Sequence, residues 1–376
     1  MGSDVVIPAI PFIDRPRYGD PMALNEPQLD VDEFQPGVTI IIPTLNRRAL
    51  LLRTLDSVLA QTGVQLFVVV VDDGGDDGTE SAIHALRDPR VRLLRHGHRR
   101  GVSAARNSGL AVTTTEWVAF VDDDDIWAPN KLRAQLAAIA ADEAARWSCV
   151  GSVNIDAEAT VLWWADPLDR RDLSRALLTS NSIPGGGSGV LASTRFSRAV
   201  GGFDETMSNL ADWDFYLRLA QESPVAAVHA PMVGYLVHPG SMAHNISRSV
   251  TEYAYMKGKY AELRLARGVQ LDEVQWLSYL AGMAFNGGHR WTGFRLHFQL
   301  VFRHGRLRSL RSMGMALVPR RFYLARAHRG ATQVPEKWVE SVAEWLRPVN
   351  AGEVARGRGL APAGSGAGHH TSAEIP

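Results

Sequence analysis

From Val38 onward, short apolar runs alternate with segments that carry apolar residues at helical spacing. Val38 to Ile42 reads as a strand, Ala49 to Gln61 as a helix, Gln65 to Val71 as a strand and Thr79 to Arg87 as a helix. A short strand at Val91 to Leu94, a helix from about Val102 to Thr113 and a strand at Trp117 to Val121 continue the series. This alternation predicts an α/β fold, a three-layer sandwich around a mostly parallel sheet, with ligands at the C-terminal ends of its strands. Beyond Pro129 the pattern gives a helix to about Ala145, β-rich pieces at Ser148 to Val153 and Thr160 to Trp164, and a helix around Asp212 to Gln221. After Val250 the texture changes to long helical segments: Thr251 to Arg267, Leu271 to Phe285, Arg290 to Phe302 and Arg306 to Leu317. The expected organisation is an extended arm over 1–36, an α/β domain over 37–250, a helical module over 251–349 and a flexible tail over 350–376.

Composition narrows the class. With 376 residues, 45% of them hydrophobic and 21% charged, the chain can bury a sizeable core. Its 40 basic and 40 acidic residues balance, so there is no net field to draw a nucleic acid. The single cysteine, Cys149, excludes an internal disulfide and a cysteine-based zinc cluster, and reads as a small buried apolar residue. No run reaches the ~18 to 20 apolar residues that span a bilayer, and the Pro-rich opening does not look like a signal peptide, so a cytoplasmic protein is expected. Contact with the inner face of a membrane stays open, because Arg290, Arg295, Arg303, Arg306, Arg308, Arg311, Arg320 and Arg321 are interleaved with Trp291, Phe294, Phe298, Phe302 and Phe322. The other readings of that stretch are a packed bundle with a solvated basic face and an interaction face for a charged acceptor.

Candidate chemistry lies at the strand ends. Pro43-Thr44-Leu45-Asn46-Arg47 follows the first strand, Asp72-Asp73-Gly74-Gly75 the second, and Asp122 to Asp125 the fourth. Adjacent parallel strands would bring all three to one rim. Each loop alone is weak evidence, since turns favour Asp, Asn and Gly for backbone reasons. Four consecutive aspartates after a buried strand are electrostatically costly, and a cation would neutralise them. An acidic helix start is the competing explanation.

The segments VTIIIPTLNR, VVVVDDGGDDGT, GVSAARNSGL and AFVDDDDIWAP, in this order and spacing, closely resemble family 2 glycosyltransferases of the GT-A fold. The resemblance covers about residues 37 to 245 and includes Gly201 to Glu205 and Ala211 to Ala220. It implies inverting transfer of a sugar from a nucleotide-sugar donor to an acceptor hydroxyl, with Mg²⁺ or Mn²⁺ as cofactor. Carried over by residue, Pro43, Thr44, Asn46 and Arg47 would touch the nucleoside and Asp73 the base, assisted by Asp72. Arg106 and Asn107 would lie near the donor, Asp122 and Asp123 would face the ribose and metal edge, and Asp124 would be the first metal ligand. Asp122 and His238 are the further ligand candidates. The run offers two overlapping Asp-x-Asp frames, Asp122/Asp124 and Asp123/Asp125, and Asp125 is expected to cap the following helix or adjoin the sugar. The family's usual Glu-Asp pair is Ala211-Asp212 here, which makes Asp212 the expected base and puts acceptor positioning in question. Gly185 to Gly189 lack the pattern of a phosphate-binding loop and read as a flexible flap or a turn over the acceptor side. A nucleotidyltransferase on a related sheet, or a silent nucleotide-sugar-binding protein, are the rival readings.

Overall fold

The computed structural model describes residues 35–167, 170–238, 245–286, 288–314 and 335–346. The expected N-terminal arm, up to residue 34, the tail from residue 350, and Arg320, Arg321 and Phe322 of the basic aromatic stretch lie outside them. The first half repeats strand and helix: β1 (Gln35–Thr44), α1 (Arg48–Leu59), β2 (Leu66–Asp72), α2 (Thr79–Leu86), β3 (Val91–Arg95), α3 (Val102–Ala111) and β4 (Thr115–Phe120). These strands pair in parallel in the order β3-β2-β1-β4. The central strands are apolar on both faces, as a sheet covered by helices on each side requires. Ile41, Val69, Val71, Val118 and Phe120 pack into one layer, while Ile40, Ile42, Val68, Val70, Ala119 and Val121 pack into the other.

The second half is mixed. It comprises β5 (Ile126–Trp127), α4 (Lys131–Ala140), β6 (Trp147–Ile155), β7 (Val161–Ala165), α5 (Arg170–Thr179), a 3-10 turn at Gly186–Ser188, β8 (Val190–Ser193), α6 (Thr194–Ala199), α7 (Ala211–Glu222) and β9 (Val225–Leu236). β8 joins β4 and β6 in antiparallel fashion, and β9 runs parallel to β6, so the sheet continues as β4-β8-β6-β9-β5. The sequence pattern did not announce β9, because Pro231 and Gly234 interrupt it. The structure accommodates the proline at a register shift, where Val150 pairs with Val228 but Gly151 with Pro231.

The remaining described elements are helical: α8 (Ile246–Lys259), α9 (Ala261–Arg267), α10 (Glu273–Asn286), α11 (Arg290–Phe302), α12 (Ser309–Gly314) and α13 (Glu336–Ala343). They buttress the sheet domain. Glu252 of α8 accepts hydrogen bonds from the Ser208 and Leu210 amides at 2.9 and 2.8 Å, fixing the turn that enters α7. Tyr260 donates to Asp214 of α7 at 2.7 Å, and Trp338 and Val342 of α13 pack on Val153, Ile155 and Leu236.

Candidate functional site

The strand ends, the 3-10 turn, α7 and α10 enclose a cavity of about 850 Å³. Pro43, Thr44, Arg47, Asp73, Arg106, Asp122, Asp123, Asp124 and Asp212 all line it. Asn46, Asp72 and His238 are not among its lining residues.

Because β1 and β4 are parallel neighbours, the loop after β1 meets the aspartate run. The Thr44 hydroxyl donates to Asp123 at 2.8 Å, and the Arg47 guanidinium donates to Asp123 at 3.1 Å and to Asp124 at 2.9 Å. His238 Nε2 donates to the same Asp124 oxygen at 2.8 Å. Neighbouring carboxyls thereby part in character. Burial pushes Asp123 up to about 6 against the pull of Arg47, with Asp124 adding to the rise. Burial also opposes ionisation of Asp124, but the His238 hydrogen bond and the Arg47 charge hold it below the usual carboxylate range.

Asp125 is not a helix cap. α4 starts at Lys131 after Asn130, which makes no side-chain cap. The fully buried Asp125 carboxyl instead accepts from the Ser188 hydroxyl and from the Leu236 amide, tying the run to the 3-10 turn and to β9. Burial, reinforced by Asp124 and Asp122, raises its pKa well above the usual value.

In the loop after β2, Asp72 and Asp73 diverge. Asp72 accepts from the Gly75 amide at 2.7 Å and closes the turn. Asn46, held at φ 54°, accepts from the Asp76 amide at 2.8 Å and ties this turn to the first loop. A Cβ on Gly75 would stand 2.7 Å from Asn46 Oδ1 and 2.8 Å from Asp72 Oδ1, so the close approach of the two loops requires glycine. Asp73 reaches the cavity. Its carboxylate accepts from the Arg100 and Gly101 amides, both at 2.8 Å, and from His96 Nδ1 at 2.7 Å.

The Arg106–Asn107 pair also splits. Asn107 pins the Phe203 backbone, accepting at 2.8 Å and donating at 2.9 Å, a structural role. Arg106 is buried, donates to Asp122 and stands over the Phe203 ring at 5.0 Å. Gly187 lies against both groups: a Cβ there would be 2.5 Å from the Arg106 guanidinium and 3.1 Å from Asp122. Of the two readings of this segment, flap or turn, the structure shows a packed turn. The Trp127 indole donates to the Ser188 carbonyl at 3.1 Å and the Tyr216 hydroxyl donates to the Gly186 carbonyl at 2.7 Å.

Asp212 opens α7, with one oxygen accepting from the Trp213 amide at 2.8 Å and the other from Asn181 at 3.4 Å. Burial raises it to about 6, partly offset by Arg106. A Cβ on Gly186 would be 3.8 Å from this second oxygen and 3.5 Å from the Tyr235 ring, so Asp212 and Asp122 flank the same turn. Next to Asp212, the ring of Trp213 lies 6.3 Å from Tyr253, which stacks on Trp276 at 4.5 Å, and Trp276 lies 5.7 Å from Tyr279. Tyr253, Trp276 and Tyr279 line the cavity, and none was identified from the sequence. Their spacing in helices fits a packed core equally well, and only the fold turns them toward the site.

Asp124 and His238 stand together, whereas Asp122 is held by Arg106. Among the described residues no group of three His, Cys, Asp or Glu side chains gathers as a metal-ligand set.

Residues 39–191 match the family model described as glycosyl transferase family 2. The succinoglycan biosynthesis protein ExoO of Rhizobium meliloti (strain 1021) is 38% identical over 113 residues, 30% of this chain and 32% of that protein. The UDP-Glc:alpha-D-GlcNAc-diphosphoundecaprenol beta-1,3-glucosyltransferase WfgD of Escherichia coli is 35% identical over 99 residues, 26% of this chain and 39% of that protein. The chondroitin synthase of Escherichia coli is 27% identical over 205 residues, 54% of this chain and 29% of that protein. The matches thus span well under two thirds of these relatives. Among solved structures, residues 1–349 of S. aureus TarS superpose with a TM-score of 0.46 at 16% identity, covering 74% of this chain and 90% of that one. The part of the chain that matches glycosyl transferase family 2, residues 39–191, is the part that carries the loops after β1 and β2 and the run Asp122–Asp125.

Proposed function

We propose that the cavity transfers a sugar, with inversion, from a nucleoside-diphosphate sugar to a hydroxyl of a glycan, lipid-linked or natural-product acceptor. The observation that carries this reading is that one cavity holds both the Asp122–Asp124 run and, across the Gly186–Gly187 turn, a carboxyl at Asp212 whose pKa is raised to about 6. A UDP-linked donor is favoured because a relative that shares this domain is named for UDP-Glc.

In this reading Thr44, Arg47 and Asp73 hold the nucleoside end of the donor. Arg106 fixes Asp122 and screens Asp122 and Asp212 from each other's charge. Asp124, with His238 beside it, would hold a Mg²⁺ or Mn²⁺ ion, which would supply positive charge to the leaving diphosphate. Asp212 accepts the acceptor's hydroxyl proton as its oxygen bonds to the anomeric carbon and the carbon–oxygen bond to the diphosphate breaks. One base on the face opposite the leaving group gives inversion.

Thermal shifts with UDP, GDP and dTDP, each with and without Mn²⁺, test the donor site. UDP with Mn²⁺ should stabilise most, and indifference to every nucleoside diphosphate would overturn the assignment. Asp212→Asn should lower transfer by about 10² to 10⁴-fold while keeping that shift. Pyrophosphate release from a nucleoside triphosphate would point instead to nucleotidyl transfer.

A further inference from the structure

α11 is apolar on two opposite sides. Its inner stripe, Gly293, Leu296, Leu300 and Val301, is buried, with Leu296 packed among Leu280, Ala281 and Ala284 of α10. The outer stripe is Trp291, Arg295, Phe298 and Phe302, at the i, i+4, i+7, i+11 spacing of one helix face. Trp291 is 72% exposed and Phe302 67%, and the Phe298 and Phe302 rings lie 4.3 Å apart in contact with solvent. Leu307 and Leu310, 70% and 49% exposed, extend the apolar surface toward α12. Isolated exposed apolar side chains are ordinary, but a helix that aligns aromatics on its solvent side is not.

The charges around this stripe are mostly positive, with Glu273 at the start of α10 facing Arg303 and His304 near the stripe's C-terminal end. Arg295, Arg303, Arg306, Arg308 and Arg311 are exposed among the aromatics and leucines. From Val274 to Pro335 the sequence contains ten arginines and no aspartate or glutamate, although the chain as a whole is neutral. A second copy of the chain would meet this face with like charge. A nucleic acid would satisfy the arginines but leave Leu307, Leu310 and the phenylalanines facing water. An anionic bilayer satisfies both, with arginines at the headgroups and rings at the acyl boundary. No helix among the described residues is long and apolar enough to cross a membrane, so the contact is one of lying on the surface.

We propose that the outer face of α11, continued by Leu307 to Arg311, is a docking surface for an anionic lipid bilayer. α10 separates this face from the cavity: Leu280, Ala281 and Ala284 meet α11, while Trp276, Tyr279 and Met283 line the site. Docking would therefore hold the cavity beside the membrane, where a lipid-linked acceptor resides; that last clause rests on the proposed function, whereas the docking itself does not.

The test is flotation of the full chain with phosphatidylcholine vesicles, alone or mixed with phosphatidylglycerol. The chain should float with the mixed vesicles and stay in the dense fraction with the zwitterionic ones. Trp291→Ser/Phe302→Ser and, separately, Arg303→Glu/Arg306→Glu should each lower the bound fraction about tenfold or more. The UDP–Mn²⁺ thermal shift of both variants should match the parent, which confirms their folding and separates this result from any failure of the donor-site reading. Absence of flotation with anionic vesicles, equal flotation with both compositions, or unchanged binding by both variants overturns the proposal. So does a parent chain that binds RNA and leaves the vesicles.

Discussion

Along one wall of the cavity, Thr44, Arg47, Asp73 and Asp122–Asp124 follow the ends of three neighbouring parallel strands, each from a loop only a few residues long. Along the other wall, Asn181, Asp212, Tyr253, Trp276 and Tyr279 come from a loop and three helices that are spread over about a hundred residues of sequence. The strand-end wall is polar and tightly cross-bonded, whereas the helical wall is largely aromatic and joined by stacking. In the proposed reaction the first wall reads a fixed feature, the nucleoside diphosphate, and the second meets the acceptor. A wall that depends on strand order is hard to vary, while one made of helix faces accepts substitution at single positions.

Besides the loss expected at Asp212, the largest effect belongs to the strand-end wall. Asp124→Asn removes the carboxylate shared by Arg47 and His238, and transfer should fall about a hundredfold or more, with the Mn²⁺-dependent part of the UDP thermal shift lost. If UDP stabilises this variant with Mn²⁺ as well as it does the parent, the ion is held elsewhere and the two walls need redrawing.

Next comes the turn between the walls. Gly187→Ala would drive a methyl group into the Arg106–Asp122 pair, and unfolding measurements should record a loss of about 1–3 kcal/mol. An unaffected variant would mean that the turn yields easily and does not fix the spacing of Asp122 and Asp212.

The pH dependence probes the helical wall. With Asp212 raised to about 6, kcat/KM for the acceptor should be level above that pH and fall about tenfold per unit below it, as the base becomes protonated. The same shift has a sign in stability. The folded protein binds this proton more tightly than the unfolded chain, so the contribution is present below the ordinary value of 3.8 and is lost as pH rises through about 6. Asp212→Asn should therefore be more stable than the parent by about 1–3 kcal/mol at pH 8 and equal to it near pH 3, as followed by denaturant titration. Equal stability at both pH values would show that the carboxylate carries no burial cost.

The smallest expected effect is at the cavity's aromatic edge. Tyr279→Ala should raise the acceptor KM about fivefold, with the donor KM unchanged, in steady-state rates measured against each substrate. A change in donor KM instead would place Tyr279 on the nucleotide side.

These two walls were also unequally legible in the chain. The strand-end wall could be read from local pattern: apolar runs such as Val38–Ile42 and Val68–Val71 mark buried strands, and the polar loops after them must share a rim once the strands are parallel neighbours. Within that wall, the division of labour among Asp72 and Asp73, or among Asp122 to Asp125, was not legible. Each of these side chains is assigned by what stands across from it: Gly75 for Asp72, Ser188 and Leu236 for Asp125, His238 for Asp124. β9 was obscured for the same reason, since Pro231 contradicts a strand until Gly151 is seen opposite it.

The sequence by itself determined the βα alternation, the gathering of three polar loops, the resemblance to glycosyl transferase family 2 and the basic aromatic stretch near Trp291, because periodicity and loop chemistry act over a few residues. Only the tertiary structure decided that Asp125 anchors a turn, that Asn107 pins the Phe203 loop, and that Tyr253, Trp276 and Tyr279 face the cavity. It also decided that Trp291, Phe298 and Phe302 face solvent. The physical reason is that a side chain's role depends on burial and on partners distant in sequence, and both exist only after the sheet and helices have packed.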